Sequence, residues 1–197
     1  IKNKDKLTVL HASTIKGGTK RFLYETPDEL LETFQETIDI LSTCRNIKLI
    51  IKFRQIQEFS FKSLKTLLGT LPENVSLISD GQFGDFLASS HLLMSFSSTT
   101  IEEALINDTP VLLYGGKGRY SHIPTEPFKL GKTDDILTPV TFVDNRESLG
   151  DYFKVLDKNF DKFIDHQFDF SRYRLKDSMV VLDWLDQQSI FNEERSI

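Results

Sequence analysis

Four consecutive hydroxyl residues, Ser97-Ser98-Thr99-Thr100, stand between an apolar run and a helix-like segment that begins near Ile101. A helix start exposes backbone N–H groups without intrahelical partners and carries the positive end of the helix dipole, which suits a phosphate. Hydroxyls at that place can donate to phosphate oxygens, and their small size lets a ligand approach closely. A purely structural role is also open. Thr99-x-x-Glu102 and Thr100-x-x-Glu103 both have capping-box spacing, so that Ser98 or Thr99 would simply cap the helix. Four hydroxyls exceed what one cap requires. Glu102 and Glu103 fall in the first turns of the same segment. A carboxylate there can accept two hydrogen bonds from a ribose diol, or can rest in solvent, favoured by the helix dipole.

Lys52 and Arg54 flank Phe53 at the end of a second apolar run, and their spacing puts them on one face of a strand. A cation there would neutralise a diphosphate leaving group; the alternative is an edge charge held in solvent. Ser13-Thr14 follow the first strand-like run, and Gly115-Gly116-Lys117-Gly118-Arg119 follow the fifth. The glycine-rich stretch either wraps a phosphate or forms a mobile turn.

These segments need elements to hold them. Strand-like runs fall at 8–12, 47–53, 75–78, 91–96, 111–114 and 140–143, several of them rich in β-branched residues. Helical patterns lie between them. The first opens on Thr26-Pro27-Asp28-Glu29, a capping-box pattern with proline at the first helical position. Its Leu30, Phe34, Ile38 and Leu41 make one apolar face. Further helices are expected around 61–68, broken by Gly69 and Pro72, then at 83–88 and 100–107, and through most of the chain after Arg146. Alternation of strand and helix predicts an α/β fold: a Rossmann-like parallel sheet of about six strands, helices on both faces, and a C-terminal helical extension. Residues 1–145 form the Rossmann-like domain on this reading, and 146–197 pack on the same domain. In such a sheet, ligands bind beyond the carboxyl ends of the strands, where Ser13-Thr14, Lys52, Arg54 and Ser97–Thr100 lie.

Composition narrows the classes. A net charge of −5, with acids and bases interleaved, argues against a nucleic-acid surface. Cys44 is the single cysteine and reads as a buried thiol in a reducing compartment. The four histidines are too scattered for a metal site, and there is no Asp-x-Asp motif. Asn74-Val-Ser76 and Asn107-Asp-Thr109 match the glycosylation sequon, but no signal-peptide pattern accompanies them. No apolar run approaches about 18 residues, so no membrane span is expected. The start at Ile1, without an initiator Met, reads as a cut just upstream of the first strand.

The run from Phe96 to Val111, Phe-Ser-Ser-Thr-Thr-Ile-Glu-Glu-Ala-Leu-Ile-Asn-Asp-Thr-Pro-Val, resembles a signature of GT-B glycosyltransferases. There a strand ends in small hydroxyl residues and a helix reads Glu-Ala, then three or four residues, then Gly-x-Pro-Val. The resemblance implies that Glu103, seven residues before Pro110, holds the ribose, with Ser98, Thr99 and Thr100 near the diphosphate. Asp108 stands where the family usually has glycine. Lys52 or Arg54 would supply the family's basic residue after the second strand, and Ser13-Thr14 would lie against phosphate or sugar. The opening Val9-Leu10-His11-Ala12-Ser13 is also similar to bacterial enzymes of capsular or other surface-polysaccharide synthesis.

The resemblance further implies the donor-binding half of a cytoplasmic two-domain enzyme, peripheral at most to the inner face of the membrane. Its substrate would be a nucleoside diphosphate sugar, UDP-linked by preference, with no other cofactor and no metal. The partners would be an acceptor glycan or lipid-linked glycan and an N-terminal domain that carries the catalytic base, leaving this fragment inactive alone. Within the same architecture, a nucleotide-sugar 2-epimerase and a CDP-polyol phosphotransferase are alternatives. A scaffold without activity and a flavodoxin-like signalling module are the non-enzymatic ones. The signalling module is disfavoured because the first strand ends His11-Ala12-Ser13 rather than in acids, and a nicotinamide domain because Gly-x-Gly-x-x-Gly is missing after that strand.

Overall fold

The computed structural model describes residue 2 and residues 5–12, 25–55, 59–131 and 136–173. The elements run in the order β1 (Leu7–His11), α1 (Pro27–Leu41), β2 (Ile47–Lys52), α2 (Phe61–Leu68), β3 (Val75–Ile78), α3 (Phe83–Ala88), β4 (Leu92–Ser95), α4 (Thr100–Ile106), β5 (Val111–Leu113), β6 (Val140–Phe142), α5 (Arg146–Lys158) and α6 (Phe160–Asp165). The six strands form one sheet in the order β3-β2-β1-β4-β5-β6, and every neighbouring pair is parallel. This is the predicted Rossmann-like α/β architecture.

Strand periodicity divides the core between two faces. Val9, Leu49, Ile51, Leu92, Met94 and Leu112 point into one layer with Leu30 and Phe34 of α1, Leu64 of α2 and Leu149, Tyr152 and Phe153 of α5. Leu10, Leu93, Val111 and Leu113 point into the other, against Leu87 of α3 and Ile101, Ala104 and Leu105 of α4. Strands covered on both sides must be apolar at successive positions, which accounts for the near-continuous runs in the sequence.

Local chemistry fixes the element ends. Thr26 Oγ1 accepts from Glu29 N at 3.3 Å while Glu29 Oε2 accepts from Thr26 N at 2.8 Å, so the capping box at α1 forms in full. Asn145 caps α5 through Ser148 N at 2.9 Å. Asn74 donates its amide to the carbonyls of Leu41 and Ile47 at 2.9 and 3.0 Å, tying the end of α1 to the start of β2. That engagement gives Asn74 a structural role in place of the one its sequon suggests. Cys44 is buried in the turn between α1 and β2 rather than on the helix itself. Within the C-terminal segment, α5 and α6 contribute Leu149, Leu156 and Phe163 to the α1-side core; the Met179–Leu185 stretch lies outside the described residues.

Two histidines on the described strands and their flanks are held neutral. Burial lowers His11 to about 3, and burial together with the Lys2 ammonium lowers His91 to about 4. In the unfolded chain an ordinary histidine titrates near about 6.5, so between these values unfolding takes up protons and stability rises with pH. The urea midpoint is expected to fall between pH 7.5 and pH 5.5. In His91→Asn, which keeps an acceptor for Thr8 N, the slope should become shallower; an unchanged slope would remove His91 from the account.

Candidate functional site

The sheet order reverses between β1 and β4, whose outgoing connections lie on opposite faces: β1 leads to α1 on one and β4 to α4 on the other. A crevice opens at such a reversal because no crossover helix covers it. Here it holds a cavity of about 470 Å³. Ala12 borders it past β1, Lys52, Arg54 and Gln55 at and past the end of β2, residues 79–83 past β3, and Ser98, Thr99 and Thr100 past β4. Five of the residues singled out in the sequence, distributed over two strand ends, therefore meet in one place. Ser13 and Thr14 lie outside the described residues.

Lys52 closes β2 with its side chain half-buried. Its Nζ donates to the carbonyl of Ser79 and lies 5.7 Å from the centre of the Phe86 ring. An ammonium has three protons, so this bond leaves donors for a ligand while holding the β3–α3 turn in place. Arg54 is exposed at the rim. The turn itself passes Gly81 at φ 82°, where a Cβ would come within 2.9 Å of Phe86 Cε2, so glycine answers both the torsion and the packing there.

Among the hydroxyls, Ser98 Oγ accepts from Thr100 N at 3.4 Å, whereas Thr99 is not engaged as a cap. Thr99 is the N-cap of α4, but its backbone is helical (φ −61°, ψ −12°), and its side chain makes no capping hydrogen bond. Side-chain capping works from an extended backbone, so neither capping box suggested by Glu102 and Glu103 forms. Backbone carbonyls do the work instead: Ile101 N donates to Ser98 O at 3.0 Å and Glu103 N to Thr99 O at 3.2 Å. Thr100 Oγ1 is shielded from solvent and meets no hydrogen-bond partner among the described residues. A buried hydroxyl left in that state costs about 1–3 kcal/mol, a cost that a bound acceptor or donor would remove.

Glu103 is exposed and does not line the cavity. Its Oε1 lies 4.0 Å from the Cβ position of Gly84, in the first turn of α3 and next to Phe83, which does line it. Glu103 thus stands beside the cavity, between α4 and α3. Glu102 turns the other way and meets His122 Nε2 at 2.8 Å.

The glycine-rich segment after β5 is held at its two ends, Gly115 and Arg119. Gly115 is buried where a Cβ would sit 2.3 Å from Phe96 Cγ. Arg119 pairs with Glu29 at 2.6 Å and lies over the Phe96 ring at 5.2 Å. Burial opposes ionisation of Glu29, but hydrogen bonds from Thr26 and the Arg119 guanidinium together hold its carboxyl below the usual range. Gly115, Gly116 and Lys117 border a separate cleft of about 180 Å³ with Glu29, Glu32 and Glu36. Arg119 lines the cleft too, and three carboxylates against two cations make it a poorer place for a phosphate than the larger cavity. A groove of about 560 Å³ between α1 and α5 contains Cys44, whose thiol burial pushes up to about 11, so it is no thiolate nucleophile at neutral pH. Among the described residues no cluster of metal-ligating side chains occurs, and no helix is long and apolar enough to cross a membrane.

No protein-family model matches the sequence, and no curated protein does. Solved structures do match. The S. aureus MnaA–UDP co-structure superposes over 83% of this chain and 40% of its own, at a TM-score of 0.53 and 14% identity. The UDP-GlcNAc 2-epimerase of Neisseria meningitidis, bound to UDP-GlcNAc, covers 94% of this chain and 45% of its own, with a TM-score of 0.50 and 16% identity. The sucrose-phosphate synthase of Thermosynechococcus elongatus covers 96% and 47%, with a TM-score of 0.50 and 11% identity. The fold is that of a GT-B C-terminal domain. The chain spans less than half the length of each of these GT-B-type structures.

Seen against this GT-B framework, Asp108 is informative. In the signature that residues 96–111 resemble, glycine is usual at this place; Asp108 has φ 52°, the left-handed region that glycine favours and that aspartate tolerates better than most residues. Two groups of site residues escaped sequence reasoning. Residues 79–83 were findable, since the rule that selected the ends of β1, β2 and β4 applies equally to β3. Tyr120 and His122 carried no such signal, because their contacts with Ser97 and Glu102 join segments about 20 residues apart.

Gly115→Ala should force the buried Phe96 ring from its place and lower stability by about 1–3 kcal/mol. Urea denaturation measures this, and an unchanged midpoint would show that the close approach is relieved without cost.

Proposed function

We propose that this domain binds the nucleotide-sugar donor of a glycosyltransferase in the 470 Å³ cavity at the sheet reversal. The observation that carries the reading is the meeting of Lys52 and Arg54 with the hydroxyls of Ser98, Thr99 and Thr100 around one space. Cations on one side and hydroxyl donors on the other suit a diphosphate, and they would stabilise it as it leaves the sugar without requiring a metal. Glu103, beside the α3 turn, holds the ribose diol on this reading, and Ser13-Thr14 approach the phosphate or sugar. UDP is the preferred nucleotide. The UDP and UDP-GlcNAc bound in two of the matched structures support that choice. An N-terminal domain would bring the acceptor, a glycan or lipid-linked glycan, and the catalytic base.

A nucleotide-sugar 2-epimerase is the second reading, favoured by the likeness to the Neisseria enzyme. It uses the same donor cavity and differs in what the partner domain supplies. Product analysis of the two-domain protein separates sugar transfer, epimerisation and transfer from a CDP-polyol.

Ligand-observed NMR with UDP, UDP-GlcNAc, CMP, CDP and GDP tests the donor site on this chain. Binding of UDP in the millimolar range or tighter is expected, and none by any of the five would overturn the reading. Arg54→Ala should weaken UDP about tenfold and leave uridine unchanged, because only the phosphate contact is lost. Glu103→Ala should weaken UDP and uridine alike; unchanged affinity for both removes Glu103 from the ribose.

A further inference from the structure

The stretch that carries the cavity's hydroxyls is short of internal support. The helix α4 has seven residues, Thr99 contributes no side-chain cap, and Ser98 Oγ accepts from Thr100 N at 3.4 Å. Support comes instead from the segment after β5, on the flank away from the cavity. Tyr120 Oη meets Ser97 Oγ at 3.1 Å, one residue before Ser98. His122 Nε2 meets Glu102 Oε1 at 2.8 Å, two residues after Thr100. The two contacts bracket Ser98–Thr100, and neither Tyr120 nor His122 lines the cavity.

The bracket is itself anchored. The Tyr120 ring packs edge-on to Phe96, with centroids 5.3 Å apart, and Phe96 is almost wholly buried. On the same ring sit Gly115, which admits no Cβ, and the guanidinium of Arg119, tied to Glu29 at the start of α1. A chain of contacts thus runs from α1 through Arg119, Phe96 and Tyr120 to the hydroxyl stretch.

We propose that Tyr120 and His122 are positioning residues, which hold Ser98–Thr100 in the geometry a diphosphate needs before any ligand arrives. A stretch ordered in advance loses less conformational freedom on binding, so the brace acts on affinity for the phosphate-bearing part of the ligand. The bracing follows from the contacts alone; its consequence for affinity rests on the donor-site reading above.

The test uses the double variant Tyr120→Phe/His122→Ala, with His122→Gln as the conservative replacement that can still donate to Glu102. Amide hydrogen exchange is followed at Thr100, Ile101 and Glu103, whose N–H groups are bonded within the stretch, and at β1 and β4 as controls. The double variant should exchange about tenfold faster at the three amides with the strands unchanged. UDP affinity should fall about fivefold and uridine affinity should not, while His122→Gln stays close to the parent protein. Unchanged exchange at the three amides overturns the brace. So does an equal loss of UDP and uridine binding accompanied by loosened strands, which would mean a general loss of structure. If the parent protein binds neither ligand, the donor-site reading falls on its own, and the exchange data still decide whether Tyr120 and His122 hold the stretch.

Discussion

Every strand of this sheet runs the same way and is covered on both faces, and most of the molecule follows from that arrangement. Parallel strands need crossover helices, the helices bury both faces, and the strand ends are left as the place where a ligand can reach the sheet. The connections leave β1 and β4 on opposite faces, so they cannot close over the strand ends between them. The cavity bordered by Ala12, Lys52 and Thr100 is the space left by that topology. Its position therefore follows from topology, whatever residues line it.

The lining separates charge from neutral donors. Lys52 and Arg54 approach from the β2 side of the reversal, and the hydroxyls of Ser98, Thr99 and Thr100 from the β4 side. Acids elsewhere on the same edge are engaged with other partners: Glu29 with Arg119, Glu36 with the Tyr114 hydroxyl, and Glu102 with His122. Within the lining, Lys52 and Arg54 share the cavity with one carboxylate, that of Asp80 past β3. With α4 only seven residues long, the macrodipole is a minor contributor here. Side chains and the backbone amides of one turn must do most of what a longer helix would do through its dipole.

Much of the fold was legible because its determinants are local. Thr26-Pro27-Asp28-Glu29 announces α1, Gly69 marks the end of α2, and the apolar runs at 49–51, 92–94 and 111–113 are what buried parallel strands require. The grouping of Lys52 with Ser98–Thr100 was legible too, since it follows from strand order and one rule about strand ends. The sequence misled at Thr99, where correct capping-box spacing met a helical N-cap torsion that no residue type announces. Nor did it reveal that Glu103 turns to α3 while Glu102 turns to His122. Those orientations depend on the helix's roll against the sheet, which is decided by packing of Ile101, Ala104 and Leu105.

Asp108 bears on how a likeness of fold can be recognised. A pattern that insists on glycine ahead of Thr109-Pro110 rejects this chain at one letter, although its backbone still bends through the torsion that glycine would have supplied. A backbone torsion can persist where the letter that usually marks it has changed, and superposition recovers a likeness of fold that spelling does not show.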